Sequence, residues 1–276
     1  MRSRRFLIAA IVVLILFYSG SSSAQVQEAT LGVRVTPERV TVCLHEPVSV
    51  VLVLKNDMEQ PLSLDLGDDR ISNIEVDVFS PDGRHILHHI PTHQGLARIG
   101  RITIAAGQSY SQTLVLNNWT DFREVGIYRL QIRFLSQVLA ADGRSTNIGP
   151  LASSVMVEDR DEQRLTKLCA QLLDSLLKAK SYDDAHTQAM LLRYIGDPIV
   201  VPFLERAIEE TAYPVQSLLV VGLESVDTPE AVRSLLRLIS KHSPAVPDAK
   251  VSLSRMVPKI ADVDLRKQVQ EVLEVN

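Results

Sequence analysis

The sequence predicts two domains, an all-β sandwich followed by an all-α array of helical repeats. Up to about residue 158, apolar and polar residues alternate in short runs, which is typical of half-buried strands. After that point apolar residues recur every three or four positions, as on one face of a helix. The helical pattern then repeats at an offset of about 31 residues. Of the 276 residues 46% are hydrophobic and 22% charged, so each half can bury a core.

Residues 1–24 have the pattern of a secretory signal peptide. Three arginines precede an apolar run over 6–18, and small residues follow up to Ala24. The run is shorter than the about 20 residues that a membrane-spanning helix needs. We therefore expect cleavage near Ala24 and an exported protein, periplasmic or secreted. The alternative is that the segment is retained as a membrane anchor.

The charge balance limits the classes of partner. The formal net charge is −4, and removing the leader with its arginines makes the chain more acidic. No basic patch accompanies this charge, which argues against nucleic acid or an anionic membrane surface as partner.

The sandwich is expected over residues 30–158. Two strands flank Pro47 within 34–56, because the β-branched residues after this proline favour a strand. Pro-Asp-Gly at 81–83 predicts a hairpin turn within 74–90. Further strands are expected within 100–118, 124–135 and 153–158. Seven or more short strands at intervals of about ten residues indicate an antiparallel sandwich.

The helical half is expected over residues 159–276. A first helix over 161–179 has an acidic start, a leucine stripe and lysines at its end, which suits the helix dipole. About three helix pairs follow over 183–275. The second helix of a pair begins with a proline, whose missing N–H costs no hydrogen bond at that position. Each pair would bury its apolar face only against its neighbours. The repeat aligns Leu192 with Leu223, Ile195 with Val226, Pro198 with Pro229, Val201 with Val232, Leu204 with Leu235, and Ile208 with Ile239.

Three motifs of the first half resemble bacterial immunoglobulin-like sandwiches, including the small intracellular proteinase inhibitors. They are Leu-Lys-Asn at 54–56, Pro-Asp-Gly at 81–83 and Gly-x-Tyr-x-Leu at 126–130. The resemblance implies an immunoglobulin-like β-sandwich in which a tyrosine hydroxyl ties a corner together. It also implies that a loop, here 91–101, enters a protease cleft.

The second half resembles HEAT-type repeats, in which helix pairs stack into a superhelix. The resemblance rests on the spacing and on the recurring turn proline, and it implies a row of helices that presents a binding surface. The chain departs from this pattern at Ala185 and Gln216, where an arginine is often found near the start of the first helix.

Four of the seven histidines lie within 83–95. On a strand, His85 and His89 share a face, and His93 lies beyond Pro91 in a segment that can fold back. We therefore name His85, His89 and His93 as a candidate metal site. The alternative is an exposed hairpin, because no carboxylate or cysteine accompanies these residues and the usual zinc spacings are absent.

The sequence offers few other residues or motifs for catalysis, cofactor binding or metal binding. The sequence contains no nucleophile elbow, phosphate-binding loop or dinucleotide fingerprint, so we expect no enzyme activity and no cofactor. The acidic pair within 67–70 is either a calcium site or, more often, a turn. Cys43 and Cys169 either form a disulfide or are buried thiols, and the leucine stripe around Cys169 favours the second.

The sequence therefore predicts an exported, non-enzymatic interaction or scaffold protein whose partner is a protein of the cell envelope. A proteinase inhibitor acting through a sandwich loop is the alternative, and a metal-binding protein that uses the histidines is the lesser one. The candidate partner-binding residues are Trp119, Arg193, Tyr194, Glu205, Arg206 and Glu209. The alternative for Trp119 is packing at the end of a strand, and the alternative for the others is a solvated helix surface.

Overall fold

The computed structural model describes residues 31–87, 99–241 and 243–274, and the predicted leader lies outside them. A β-sheet region occupies 31–158 and a helical region follows, which confirms the predicted order of the two classes. The strands are β1 (Leu31–Pro37), β2 (Thr41–Cys43), β3 (Ser49–Asn56), β4 (Leu62–Asp65), β5 (Ile74–Phe79), β6 (His85–Ile86), β7 (Arg101–Ile104), β8 (Ser109–Val115), β9 (Gly126–Phe134), β10 (Val138–Ala140), β11 (Ser145–Thr146) and β12 (Leu151–Glu158). The helices are α1 (Glu162–Leu177), α2 (Tyr182–Arg193), α3 (Val201–Glu210), α4 (Val215–Val226), α5 (Pro229–Ser240), α6 (Val246–Met256) and α7 (Val263–Glu274).

The strands form three sheets, with orders β1-β3-β8, β11-β10-β4-β7 and β2-β12-β9-β5-β6. All described pairs are antiparallel except β2 with β12, which run parallel. Alternation sets which side chains enter the core: Val50, Leu52 and Leu54 of β3 have no exposed surface. The hairpin turn at Pro-Asp-Gly forms as predicted, with Gly83 at φ 84°, a conformation that glycine adopts without strain.

Tyr128 fixes the entry into β9. Its hydroxyl accepts a hydrogen bond from the Glu124 N–H at 2.9 Å, and its ring is buried with Phe122 in edge contact. This is the corner contact that the Gly-x-Tyr motif implies.

The helical region consists of α1 followed by three consecutive helix pairs. Side chains of Asp161, Ser181 and Thr228 cap the first N–H groups of α1, α2 and α5. Leu204 of α3 and Leu235 of α5 are both fully buried. The last helix closes the row with a polar surface, since Lys267, Gln268, Gln270 and Glu271 are exposed. No helix of the described segments combines the length and apolarity needed to cross a membrane.

Candidate interaction surfaces

The β-sheet region and the helices meet in a shared core that is bordered by ion pairs. Cys43 and Val115 of the β-sheet region belong to the same buried cluster as the helical leucines. Next to this cluster Glu46, which follows β2, accepts hydrogen bonds from Arg164 of α1 at 2.7 and 2.9 Å and from the Cys43 N–H at 3.0 Å. Arg164 also donates to the Thr41 carbonyl at 2.7 Å. The Glu46 side chain is 1% exposed, so this bidentate pair fixes α1 on the β-sheet region.

A second ion pair holds the turn between α2 and α3. Asp197 accepts hydrogen bonds from Arg160 at 2.5 and 3.2 Å and from the Ile199 N–H at 3.1 Å. The Gly196 N–H beside it donates to the His45 carbonyl of the sandwich at 3.2 Å. Burial opposes ionisation of Asp197, but the hydrogen bonds from Arg160 and Ile199 outweigh it and hold the pKa of the carboxyl below its ordinary value.

The lowered pKa of Asp197 predicts a contribution to stability that is lost in acid. This contribution is complete above the unfolded-state pKa of about 3.9 and disappears as the pH falls through the folded-state value. In Arg160→Met burial would dominate and raise the pKa of Asp197. We therefore expect the free energy of unfolding of this variant, measured in urea, to fall less steeply than that of the wild type between about pH 5 and pH 3.

Arg206→Met is the matched control, because Arg206 pairs with Glu210 on an exposed helix surface. The free energy of unfolding of this control should change with pH as steeply as that of the wild type. Equal slopes for Arg160→Met and the wild type would contradict the prediction.

A third contact involves two of the predicted partner-binding residues. The Tyr194 hydroxyl donates to Asn118 Oδ1 of the sandwich at 2.8 Å, and the Arg193 guanidinium lies 5.0 Å from the centre of the Tyr194 ring. Both side chains are half-buried. Tyr194 therefore contacts the β-sheet region, and the partner-binding roles of Arg193 and Tyr194 stay predictions.

The acidic pair within 67–70 also faces the helices. Arg70 pairs with Asp183 of α2 at 3.1 Å, and His186 Nε2 lies 3.5 Å from Asp69 Oδ2 with both residues buried. The segment is a turn that contacts α2, which favours the turn interpretation over the calcium site.

The predicted role of Trp119 as a partner-binding residue is corrected by its burial. Its side chain is 1% exposed, and its indole Nε1 donates to the Ile74 carbonyl at 3.2 Å. An indole that is packed and hydrogen-bonded inside the β-sheet region is not accessible to a partner.

The remaining candidates, Glu205, Arg206 and Glu209, lie along the outer side of α3. Glu205 accepts two hydrogen bonds from Arg237 of α5 at 2.7 and 2.6 Å, and Glu209 pairs with Lys241 of α5. Both pairs join residues 32 positions apart, so they link α3 to α5. We call Glu205, Arg206, Glu209, Arg237 and Lys241 the charged face.

We expect Glu205→Gln to lower the free energy of unfolding by about 1 kcal/mol. A bidentate ion pair within a network contributes more to stability than an isolated surface pair does. The Arg237 hydrogen bonds are also the main cause of the lowered pKa of Glu205. Thermal and urea unfolding measure the change. Arg206→Ala, which breaks only a pair within one helix turn, should cost less than about 0.5 kcal/mol. A cost for Glu205→Gln no larger than for Arg206→Ala would show that the link between α3 and α5 contributes nothing to stability.

The candidate metal site can be placed only in part. His85 Nε2 lies 2.9 Å from Asp77 Oδ1, whereas His89 and His93 lie outside the described residues. Within the part of the chain that the structure covers, no three side chains of histidine, cysteine, aspartate or glutamate converge on a common point. Residues 91–98 of the predicted inhibitory loop also lie outside the described ranges.

The two cysteines are free and buried. Burial raises the pKa of Cys169 to about 12 and is also the largest cause of the raised pKa of Cys43. Thiols in such surroundings are protonated and unreactive at neutral pH.

A lateral cleft of about 680 Å³ is a feature that the sequence patterns did not indicate. It lies beside β1 and the start of β12, and the loop between β11 and β12 forms one wall. Its apolar lining residues are Leu31, Val33, Met58, Leu62, Val138, Ala140, Ile148 and Leu151, and its polar rim includes Arg144, Ser145, Thr146 and Asn147.

Comparison with known families gives a match to the β-sheet region. The family described as flagellar collar protein C, N-terminal domain, matches residues 38–156, which lie within the β-sheet region. The helices lie outside the matched segment. No curated protein matches the chain.

Several solved structures share a loose similarity with the chain. The putative ApaA protein from Bordetella pertussis is 12% identical over 46% of this chain and 94% of its own, with a TM-score of 0.32. Beta-glucosidase from Listeria innocua is 11% identical over 48% of this chain and 16% of its own, with a TM-score of 0.27. Spo0M, a sporulation control protein from Bacillus subtilis, is 14% identical over 53% and 55%, with a TM-score of 0.24.

Proposed function

We propose that this chain is a non-enzymatic structural component of a protein assembly in the cell envelope, of the kind that includes flagellar collar proteins. The family match over 38–156 carries the proposal. The contacts between the helices and the sandwich, which we call the junction, support the proposal. Their ion pairs and hydrogen bonds hold the two parts in one orientation. A fixed orientation suits a part that spaces or positions other proteins.

We further propose that the sandwich is immunoglobulin-like and that the helices form a HEAT-type array. The parallel pairing of β2 with β12 and the Tyr128 corner support the first assignment. Three successive helix pairs, linked by ion pairs 32 residues apart, support the second. The array would present the charged face to a protein partner.

Export is part of the proposal. Residues 1–24 would direct the chain through the general secretory pathway and be removed near Ala24. Amino-terminal sequencing of the protein isolated from its native host tests this step. A sequence beginning at Gln25 supports removal, whereas one that retains Met1 and the apolar run would indicate an anchor.

The decisive experiment is deletion of the gene in the native host, followed by electron cryotomography of the flagellar motors and a swimming assay. We expect loss of density around the motor and reduced swimming, both restored by the wild-type gene. Intact density and normal swimming would refute a collar role.

Complementation tests the charged face. Arg206→Glu changes an exposed residue of this face and should not restore the density, whereas Lys267→Glu on the polar side of α7 should restore it. Equal restoration by both variants would exclude the charged face as the binding surface.

A further inference from the structure

The lateral cleft extends the core of the β-sheet region towards solvent. Its volume of about 680 Å³ lies within the range of ligand-binding pockets. Much of its apolar lining consists of half-buried residues that pack against the buried core: Leu31, Val33, Met58, Ala140, Ile148 and Leu151. These residues come from β1, β10, β12 and two connecting segments, so the apolar surface results from the fold and not from any one strand.

The polar groups of the cleft come from one short stretch of chain. Residues 144–147 are consecutive and exposed, whereas the apolar lining comes mainly from other segments, so the polar groups are confined to one side. Among the described residues that line the cleft, Arg144 alone is charged and none is aromatic. The Arg144 Nε donates to Asp142 at 2.7 Å, and a guanidinium has further N–H donors with which it can bind a second carboxylate.

The width of the cleft limits what can enter it. Several Cα atoms of β1 lie within 8 Å of Cα atoms of β12. A strand inserted between two others separates them by about 9.6 Å, which is twice the usual spacing, so an added polypeptide strand does not fit there. A single aliphatic chain is thinner and needs no hydrogen-bond partner along its length. Such a chain with one anionic end matches a lining of aliphatic side chains that has one cation at its rim.

We propose that the cleft binds a long-chain carboxylate, with the aliphatic chain against the apolar lining and the carboxylate at Arg144. Removal of the methylene groups from water supplies most of the affinity. Charge-assisted hydrogen bonds from Arg144 fix the orientation of the ligand. The inference concerns a small-molecule site in the β-sheet region and goes beyond the proposed function, so it stands whether or not the chain belongs to a flagellar assembly.

The test uses the full chain and dodecanoate, with decanoate and dodecanol as comparison ligands. Isothermal titration calorimetry measures Kd, and methyl-resolved NMR locates the ligand. We expect saturable binding of dodecanoate with a Kd below about 1 mM. Decanoate, which is two methylene groups shorter, should bind about tenfold more weakly. The methyl signals of Val33, Ile148 and Leu151 should shift on binding, whereas those of the helical leucines should not.

Variants separate the cleft from other surfaces. Ala140→Phe should weaken dodecanoate binding about tenfold or more, because the ring occupies part of the cleft. Leu139→Phe is the matched control: Leu139 is the neighbouring residue of β10, is 49% exposed and does not line the cleft, so Kd should stay unchanged.

A second pair of variants tests the carboxylate. Arg144→Gln should weaken dodecanoate binding about threefold or more and leave the Kd of dodecanol unchanged, because dodecanol has no charge to lose. Arg34→Gln removes an exposed charge of β1 that does not line the cleft, so it should change neither Kd.

Three outcomes would overturn the proposal. One is the absence of saturable dodecanoate binding up to about 1 mM, as expected if another part of the chain or a second copy covers the cleft. Another is equal weakening of binding by Ala140→Phe and Leu139→Phe. The third is an equal effect of Arg144→Gln on dodecanoate and dodecanol, which would show that the cleft does not recognise the carboxylate.

Discussion

Replacing Trp119 by alanine is expected to lower the free energy of unfolding by about 4 kcal/mol, within the range for truncating a buried aromatic side chain. The indole is among the largest fully buried side chains of the β-sheet region. Its removal leaves a cavity bordered by core residues and deprives the Ile74 carbonyl of its Nε1 donor. Urea unfolding followed by circular dichroism measures the loss.

Two controls make this result informative. Trp119→Phe retains most of the ring volume and loses mainly the hydrogen bond, so it should cost about 1 to 2 kcal/mol. Ile127→Ala truncates an exposed residue and should change stability by less than about 0.5 kcal/mol. If Trp119→Ala instead cost less than about 1 kcal/mol and abolished a protein contact, the indole would be a surface anchor after all.

Strong periodicity was enough to predict the two classes of structure. In β3 the alternation of Val50, Leu52 and Leu54 separates core from surface, so the strand can be identified from residue types alone. In α1 the leucine stripe and the capping Asp161 define the helix in the same way. Both signals are local, because the residues that carry them lie within a few positions of each other.

Three short strands could not be predicted from the sequence, because they carry no local signal. β4, β10 and β11 contain four, three and two residues, which is too few for an alternating pattern to be recognised. They form because neighbouring strands supply their hydrogen bonds, as β4 does for β10. The lateral cleft depends on these segments, so no local pattern could indicate it.

The single tryptophan was ambiguous from sequence. Neighbouring residues do not show whether one aromatic side chain lies inside a sandwich or on its surface, and only the contact with Ile74, 45 positions earlier, decides the matter. Arg193 and Tyr194 present the same difficulty, since Asn118 lies 76 positions away from Tyr194. Helical spacing alone determines which side of α3 Glu205 and Arg206 occupy, and their binding of a partner stays a prediction.

The junction shows most clearly what sequence patterns leave undetermined. Glu46 and Arg164 are 118 positions apart, and each stands among ordinary charged residues. Their pairing results from the packing of α1 against β2, which neither segment encodes alone. A buried carboxylate can be recognised only once its surroundings are known.

Replacing Arg164 by methionine is therefore expected to lower the free energy of unfolding by about 3 kcal/mol, because a buried carboxylate loses its bidentate partner. Methionine keeps the apolar length of the side chain and removes only the guanidinium. Glu46 would retain the hydrogen bond from the Cys43 N–H and a longer ion pair with Arg39, whose Nη1 lies 3.6 Å from Glu46 Oε1. This cost lies at the lower end of the range for breaking a buried ion pair, because the Arg164 side chain is 30% exposed.

A double-mutant cycle separates the ion pair from other effects of the substitution. Glu46→Gln with Arg164→Met should cost less than the sum of the two single changes by more than about 1 kcal/mol, since the pair can be lost only once. Arg206→Met, on an exposed pair, should cost less than about 0.5 kcal/mol. Additive single changes would mean that Arg164 contributes through packing alone, and the fixed orientation of α1 on the sandwich would then depend on the shared core around Cys43 rather than on this ion pair.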